Sequence, residues 1–229
     1  MTTSLVLFDI DGTLIDTGGA GMRALGRVFA DLYSVPDAFA NYSFSGKVDR
    51  RILLDAFQQL WQRVPTPAEA EDVRRAYLKR LEEELTSTPD RYRVLPGVRQ
   101  LLERLRQQKI PTGLATGNLA EGAMRKLIIG DLWQYFPFGG FGSDHEHRGE
   151  LTRMAIERAQ QLTGIDFAAH RVVVIGDSPL DIRAARYNGV RVIAVLTGWD
   201  PREKLLAAGP DLLLDDLADT DAVMDFILG

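Results

Sequence analysis

The amino-acid sequence predicts an α/β fold, a doubly wound Rossmann-like parallel sheet with an inserted helical cap subdomain. Short apolar runs recur along the chain and alternate with segments of helical periodicity. These runs are apolar throughout rather than at every second position, which is typical of parallel strands buried on both faces. Between Thr17 and about Tyr92 no such run occurs, so this stretch predicts helices only.

Six apolar runs are the predicted strands: residues 5–8, 112–115, 138–141, 172–175, 192–195 and 212–214. Helices are predicted between them. The clearest helix has apolar side chains at i, i+3, i+4 and i+7 spacing, at Val98, Leu101, Leu102 and Leu105. Another covers residues 154–162 and is expected to end at Thr163-Gly164.

The stretch without strands is predicted to be a cap inserted after the first strand. Its apolar side chains form three helical stripes: Leu25, Val28, Phe29 and Leu32; Leu53, Ala56, Phe57 and Leu60; and Leu78, Leu81 and Leu85. The chain enters the stretch through Gly18-Gly19-Ala20-Gly21, a composition that suits a hinge. We therefore expect a core of residues 1–16 and 92–229, and a cap of residues 17–91 that opens and closes over it.

Composition argues against several classes of protein. The 229 residues carry a net charge of −5, which disfavours a protein that mainly neutralises nucleic-acid phosphates. No run of about 18 uncharged apolar residues occurs, so no membrane-spanning helix is expected. The lack of cysteine excludes disulfides, thiolate nucleophiles and cysteine-based zinc sites. We expect a cytoplasmic protein, either a monomer or a homodimer, without a nucleic-acid or membrane partner.

Acidic and polar side chains follow four of the predicted strands. In an open parallel sheet, ligands bind at the carboxyl ends of the strands. The side chains placed there are Asp9 and Asp11, then Thr116 and Asn118, then Arg148, and finally Asp177 and Asp181. Clustered carboxylates without thiolates favour a hard cation such as Mg²⁺, which takes oxygen ligands. Together with a hydroxyl and a guanidinium group, this inventory suits phosphoryl transfer.

The same residues resemble the motifs of the haloacid dehalogenase superfamily of phosphohydrolases, in particular phosphoglycolate phosphatase-like members with a helical cap after the first motif. The family pattern Asp-x-Asp-Gly-Thr matches Asp9 to Thr13, and its Ser or Thr matches Thr116. Its Gly-Asp-x-x-x-Asp pattern matches Gly176, Asp177 and Asp181. Arg148 matches the basic third motif, where the family most often has Lys followed by Pro rather than by Gly149.

The resemblance implies a role for each matched residue. Asp9 is the expected nucleophile that forms an aspartyl-phosphate, and Asp11 is the expected general acid and then general base. Mg²⁺ is expected to be held by the Asp9 carboxylate, the Asp11 backbone carbonyl and Asp177, with Asp181 close by through water. By the resemblance, Thr116 and Arg148 are expected to hold the phosphoryl oxygens. From the residues themselves, backbone N–H groups at these strand ends could take further phosphoryl charge, so Gly12, Thr13, Gly117 and Asn118 are also expected phosphate-binding residues.

Two segments allow alternative interpretations. The segment Ser45-Gly46-Lys47-Val48-Asp49 interrupts the helical pattern of the cap, where related phosphatases often place a substrate-facing loop. Gly46 and Lys47 are therefore candidate substrate contacts, although an interhelical turn with an exposed Lys fits as well. His145 and His147 form a His-x-His pair that can chelate a metal, but without a third ligand solvated histidines are favoured.

The predicted function is a Mg²⁺-dependent phosphatase that acts on a small phosphorylated metabolite. Three alternatives stay open. A phosphomutase of the same fold would pass the phosphoryl group to a second hydroxyl. A 2-haloacid dehalogenase is disfavoured by Asp11, Asp177 and Asp181, which its chemistry does not need. A non-enzymatic phospho-receiver module is disfavoured by the chain length and by the position of Asp9 after the first strand.

Overall fold

The computed structural model describes residues 4–229, and a parallel sheet forms the centre of the fold. Eight strands occur over these residues: β1 (Leu5–Phe8), β2 (Ile15–Asp16), β3 (Arg93–Val94), β4 (Thr112–Ala115), β5 (Gly139–Gly140), β6 (Val172–Gly176), β7 (Arg191–Val195) and β8 (Leu212–Leu214). Six of them form one sheet in the order β5-β4-β1-β6-β7-β8, and every neighbouring pair is parallel. The predicted parallel sheet is confirmed.

Helices cover both faces of this sheet. Over the described residues they are α1 (Ala20–Tyr33), α2 (Asp49–Trp61), α3 (Pro67–Ser87), α4 (Val98–Gln107), α5 (Ala120–Ile129), α6 (Arg148–Thr163), α7 (Pro179–Tyr187), α8 (Arg202–Ala208) and α9 (Thr220–Leu228). Residues of α4, α5 and α9 join one core cluster, whereas residues of α6, α7 and α8 join another. The sheet is therefore doubly wound, as predicted.

The central strand β1 contributes to both cores. Val6 and Phe8 belong to the first cluster, and Leu5 and Leu7 belong to the second. All four side chains are fully buried. The strand has no polar face because each face is covered by helices, which explains the uninterrupted apolar run in the sequence.

Helices α1, α2 and α3 share a third hydrophobic core of their own. Aromatic rings fill part of it: the ring centroids of Phe29 and Phe57 are 6.1 Å apart, and those of Phe57 and Trp61 are 4.8 Å apart. Thr66 caps the start of α3 through a reciprocal pair of hydrogen bonds with Glu69. A separate core supports the proposal that residues 17–91 form a cap distinct from residues 1–16 and 92–229.

A short antiparallel ribbon of β2 and β3 stands where the chain enters and leaves the helical stretch, with Ile15 opposite Val94 and Asp16 opposite Arg93. The sequence analysis did not predict this ribbon, because two residues are too few to show a strand period. Strand β5 is also shorter than the predicted run of residues 138–141. Within residues 4–229, no helix has the length and apolar character needed to cross a membrane.

Candidate active site

Three neighbouring strands of the sheet bring acidic and polar side chains to one point. Strand β1 lies between β4 and β6, and the residues that follow these strands include Asp9, Thr116 and Asp177. Carboxylate oxygens of Asp9, Asp177 and Asp181 all lie within 4.8 Å of one another, and all three residues are buried. The structure thus brings together acidic residues that are about 170 positions apart in the sequence.

The turn after β1 is fixed by its own backbone and by contact with Asp177. The carbonyl oxygen of Ile10 accepts hydrogen bonds from the N–H groups of Thr13, Leu14 and the following residue. Gly12 has a φ of 80°, in the left-handed region, and a Cβ there would lie 2.4 Å from Oδ2 of Asp177. Thr13 Oγ1 donates to Oδ1 of Asp177 at 3.1 Å. Gly12 and Thr13 therefore lie against Asp177.

Arg148, at the start of α6, is buried among the carboxylates. Its Nη2 lies 2.8 Å from Asp9 Oδ2 and 2.6 Å from Asp181 Oδ1, which are ion-pair distances. This nitrogen forms no hydrogen bond with a described residue. Its Nε donates to Asp181 Oδ1 at 2.8 Å, and its Nη1 donates to the carbonyl oxygen of Gly46 at 2.8 Å. One guanidinium group therefore joins two core carboxylates to the predicted cap.

Asp181 already uses both of its carboxylate oxygens. Oδ1 pairs with Arg148, and Oδ2 accepts hydrogen bonds from the N–H and the hydroxyl of Ser178 at 3.1 and 2.6 Å. The hydroxyl of Ser178 accepts in turn from the N–H of Asp181, which completes a capping box at the start of α7. Asp181 thus positions Arg148 and α7, and its place near a cation stays a prediction.

The buried carboxylates make the site strongly unfavourable for negative charge. Burial raises the pKa of Asp9 to about 6, although the neighbouring Arg148 acts in the opposite direction. Burial also raises the pKa of Asp177 well above its usual value, and the charges of Asp9 and Asp181 raise it further. Asp9 Oδ1 is buried and has no hydrogen-bond partner among the described residues. An unpartnered buried carboxylate oxygen indicates a place for a ligand or a cation.

A lysine that the sequence analysis missed completes the site. Nζ of Lys126, on α5, lies 2.6 Å from Asp11 Oδ2 and 2.7 Å from Asn118 Oδ1. Asn118 Nδ2 donates to Asp11 Oδ2 and to Thr116 Oγ1, at 2.9 Å in both cases. The sequence did carry a signal, because Lys126 stands on the buried face of α5 with Ala123 and Leu127 at i, i+3, i+4 spacing.

The segment between α1 and α2 touches the core directly. A Cβ at Gly46 would lie 2.2 Å from the hydroxyl oxygen of Ser178, and a Cβ at Gly117 would lie 2.2 Å from the carbonyl oxygen of Lys47. Asp49, also missed as a site residue, donates its N–H to the carbonyl of Gly117 and accepts from the N–H of Leu119 through Oδ2. These close contacts place the segment between α1 and α2 directly against the strand ends.

A cavity of about 390 Å³ lies between helices α1 to α3 and the strand ends. The predicted site residues on its wall are Asp9, Asp11, Gly46, Lys47, Gly117, Asn118, Arg148 and Asp177, and Lys126 and Asp49 join them. Gly12, Thr13, Thr116 and Asp181 lie behind the wall, where they contact residues that line it. Nζ of Lys47 also lies 3.2 Å from Asp55 and 3.9 Å from the centre of the Tyr42 ring.

The histidine pair has no third metal ligand among the described residues. The ring centroids of His145 and His147 are 5.4 Å apart, and Nδ1 of His145 accepts the backbone N–H of His147. Among the described residues, the side chains that lie close enough together to hold one metal ion are those of Asp9, Asp177 and Asp181. This geometry fits the interpretation of His145 and His147 as solvated histidines.

Comparison with known proteins shows the family of the chain. A family model described as haloacid dehalogenase-like hydrolase matches residues 6–195. A plasmid-encoded phosphoglycolate phosphatase of Cupriavidus necator is 30% identical over 225 residues, which cover 96% of this chain and 92% of that protein. A phosphorylated carbohydrates phosphatase of Thermotoga maritima is 29% identical over 210 residues, which cover 89% of this chain and 90% of that protein.

Solved structures agree on the fold. The crystal structure of a hydrolase from Pseudomonas syringae superimposes with a TM-score of 0.75 at 21% identity, and the match covers 99% of both chains. At this identity the likeness concerns the fold alone. The family model, by contrast, spans the strand ends that carry Asp9, Thr116 and Asp177. With its motifs on adjacent strands of one parallel sheet, the chain belongs to the haloacid dehalogenase-like hydrolases.

Proposed function

We propose that the protein is a Mg²⁺-dependent phosphatase that hydrolyses a small phosphate monoester through an aspartyl-phosphate on Asp9. The observation that carries this proposal is Asp9 Oδ1, a buried carboxylate oxygen without a hydrogen-bond partner among the described residues, in a residue on the cavity wall. Beside it, Arg148 supplies a positive charge for a phosphoryl group. The relatives from Cupriavidus necator and Thermotoga maritima, both phosphatases by name, support the same reaction.

The proposed reaction has two steps. In the first, a carboxylate oxygen of Asp9 attacks the phosphorus, the bond to the ester oxygen breaks, and Asp11 gives a proton to the leaving alcohol. In the second, water attacks the phosphorus of the aspartyl-phosphate, Asp11 takes a proton from that water, and the bond to Asp9 breaks. Phosphate leaves, and both aspartates return to their starting states.

The residues of the site fit Mg²⁺. Three buried carboxylates face one guanidinium group, and every side-chain donor of the cluster is a carboxylate oxygen, which this cation prefers. The Asp9 carboxylate, the Asp11 backbone carbonyl and Asp177 would hold it, with Asp181 nearby through water. When bound, the cation offsets the repulsion between the carboxylates and draws negative charge from a phosphate oxygen.

The remaining predicted residues would hold the phosphate and the rest of the substrate. Arg148 is the best supported phosphate ligand, and the N–H of Gly117 and the Thr116 hydroxyl would add donors. The predicted contribution of the other backbone N–H groups is disfavoured, because those of Gly12 and Thr13 already donate to the carbonyls of Ile15 and Ile10, and that of Asn118 donates to Thr116 Oγ1. Gly46 and Lys47 of the cap would face the substrate. The cavity of about 390 Å³ suits a small phosphorylated metabolite rather than a protein. The cytoplasmic location and the choice between monomer and homodimer stay predictions.

The experiment that tests this proposal is a phosphate-release assay on a panel of small phosphate monoesters. We expect turnover of one or more esters in the presence of Mg²⁺ and loss of turnover when EDTA removes it, because the carboxylate cluster then keeps its uncompensated charge. Inorganic phosphate and the free alcohol are measured together. Isomerised ester without released phosphate would instead establish the phosphomutase, and EDTA-resistant chloride release from a haloalkanoate would establish the dehalogenase.

A second prediction concerns stability and pH. Because the pKa of Asp9 is raised to about 6, the metal-free fold loses stability as pH rises from the usual carboxylate range through about 6, since ionisation is then favoured in the unfolded chain. The raised pKa of Asp177 acts in the same direction. Mg²⁺ removes this cost only where the carboxylates are ionised. We therefore expect saturating Mg²⁺ to raise the unfolding temperature by about 5–10 °C near pH 8 and by much less near pH 5.

Thermal unfolding followed by circular dichroism, with and without Mg²⁺, measures these shifts. Asp177→Asn is expected to lose most of the shift near pH 8, whereas Asp225→Asn, at an exposed carboxylate of α9, is expected to keep it. An equal shift at both pH values, or a full shift in the Asp177→Asn protein, would place the cation elsewhere.

A further inference from the structure

Lys126 is a buried cation to which the proposed reaction assigns no role. It is 3% exposed and stands among the buried residues of α5. Lysines are almost never fully buried unless their ammonium group is paired, since an unpaired buried charge is strongly unfavourable. The partners of Lys126 therefore show why the fold accepts it.

Both partners of Lys126 belong to the active site. Its ammonium group reaches Asp11 Oδ2 at 2.6 Å and Asn118 Oδ1 at 2.7 Å, and these are its hydrogen-bond acceptors among the described residues. Asn118 also donates to Asp11 Oδ2, at 2.9 Å. Oδ2 of Asp11 thus accepts hydrogen bonds from two donors, whereas within residues 4–229 its Oδ1 accepts none.

This asymmetry orients a carboxylate that would otherwise rotate. Asp11 is partly exposed on the cavity wall, and its side chain has no other polar contact in the described part of the chain. Fixing Oδ2 against α5 leaves Oδ1 as the oxygen that exchanges a proton with a group in the cavity. Proton transfer in a transition state requires this kind of fixed geometry, in which small displacements cost large factors in rate.

The hydrogen bonds of Lys126 also connect, through Asn118, to Thr116, a predicted phosphate ligand. Asn118 Nδ2 donates to Thr116 Oγ1 at 2.9 Å while its Oδ1 is held by Lys126. Lys126 therefore sets the orientation of the Asn118 amide, and with it the hydrogen bond that Thr116 accepts. A lysine that only filled space in the core would not connect these three residues.

We propose that Lys126 is a positioning residue that orients Asp11 for proton transfer to the leaving alcohol. The proposal rests on the proposed phosphatase function and adds a residue of α5 to it. Lys126 acts through Asp11 and Asn118, and it forms no bond with the transferred phosphoryl group. Its removal should therefore harm the proton transfer more than the binding of the phosphate.

Leaving groups of different basicity separate these effects. An alkyl phosphate has a strongly basic leaving oxygen that needs a proton as the bond to phosphorus breaks, whereas p-nitrophenolate leaves readily without one. The ratio kcat/KM reports the steps up to formation of the aspartyl-phosphate, in which Asp11 serves as the acid. A loss of orientation should lower kcat/KM for the alkyl ester more than for the aryl ester.

The experiment compares Lys126→Met with the wild type on an alkyl phosphate and on p-nitrophenyl phosphate. We expect kcat/KM for the alkyl ester to fall by about 10²-fold, and by about tenfold more than for the aryl ester. Lys79→Met, at an exposed lysine of α3, is the matched control and should change neither value. Equal losses for both esters in Lys126→Met would overturn the proposal, because a packing defect or a lost phosphate contact acts on both alike.

A double-mutant cycle tests whether Lys126 acts through Asp11. If it does, Lys126→Met should change kcat/KM for the alkyl ester by less than about threefold in an Asp11→Asn background, whereas additive losses would show an independent role. If Lys126→Met fails to fold, Lys126→Gln, which keeps N–H donors near Asp11, carries the same comparison with a smaller expected difference. Wild-type phosphate release tests the proposed function separately, since the proposal on Lys126 concerns only the ratio of the two esters.

Discussion

Asp9→Asn is expected to lower kcat by at least about 10³-fold while the fold stays intact. The amide oxygen of Asn is a far weaker nucleophile than a carboxylate, so no aspartyl-phosphate can form at this position. Asn has nearly the same shape as Asp, so the turn after β1 and the hydrogen bond from the Asp9 N–H to the carbonyl of Ile175 are kept. Phosphate release with Mg²⁺ measures the effect.

Asp9→Asn is expected to lower activity without lowering the stability of the metal-free fold. Burial raises the pKa of Asp9 to about 6, so above that pH the fold holds a charge that its surroundings disfavour. A neutral Asn removes this cost, and Arg148 keeps Asp181 as its partner. We therefore expect the unfolding temperature of metal-free Asp9→Asn near pH 8 to equal or exceed that of the wild type. Asp225→Asn serves as the control that keeps activity, and undiminished turnover in Asp9→Asn would contradict the proposed nucleophile.

The sequence predicts the central strands well because their environment is uniform. Predicted residues 5–8 and 112–115 coincide with β1 and β4, which lie side by side in the middle of the sheet with helices on both faces. Such strands leave an apolar run that ends abruptly at a polar residue. The same abrupt ends mark Asp9 and Asp177, and for this reason the acidic cluster could be inferred before the fold was known.

Contacts between distant segments left only an ambiguous signal in the sequence. Lys126 reaches Asp11 across 115 positions, and its place on an apolar helix face is equally typical of a lysine whose stem packs while its charge reaches solvent. Asp49 stands at the start of α2, where an acidic residue is favoured by the helix dipole alone. Only the packing of α2 against the strand ends shows that Asp49 forms hydrogen bonds with Gly117 and Leu119.

The structure explains why Arg rather than Lys stands in the third motif. From the sequence, Arg148 stands where the family most often has Lys. In the fold, its Nη2 forms ion pairs with Asp9 and Asp181, its Nε donates to Asp181, and its Nη1 donates to the carbonyl of Gly46. A lysine offers a single point charge and could not reach all three with the planar geometry of a guanidinium group. The choice of Arg is therefore explained by the cap contact, which the sequence did not reveal.

Asp11→Asn is expected to lower turnover by about 10²–10⁴-fold and to leave the binding of Mg²⁺ largely unchanged. Only the backbone carbonyl of Asp11 is proposed to bind the cation, and this group is the same in Asn. The side chain, in contrast, is proposed to give a proton in the first step and to take one in the second. Lys126 can still hold the Asn oxygen, so the local packing is kept.

The two proposed steps can be separated in this variant with an aryl ester. Because p-nitrophenolate leaves without a proton, Asp11→Asn should still form the aspartyl-phosphate from p-nitrophenyl phosphate, whereas its hydrolysis needs the missing base. We expect a burst of p-nitrophenolate and a protein that carries one phosphoryl group, seen by mass spectrometry after acid quenching. The shift of the unfolding temperature by Mg²⁺ should persist, as in Asp225→Asn. Loss of that shift would make the Asp11 side chain a metal ligand, and absence of the phosphorylated protein would remove Asp11 as the base of the second step.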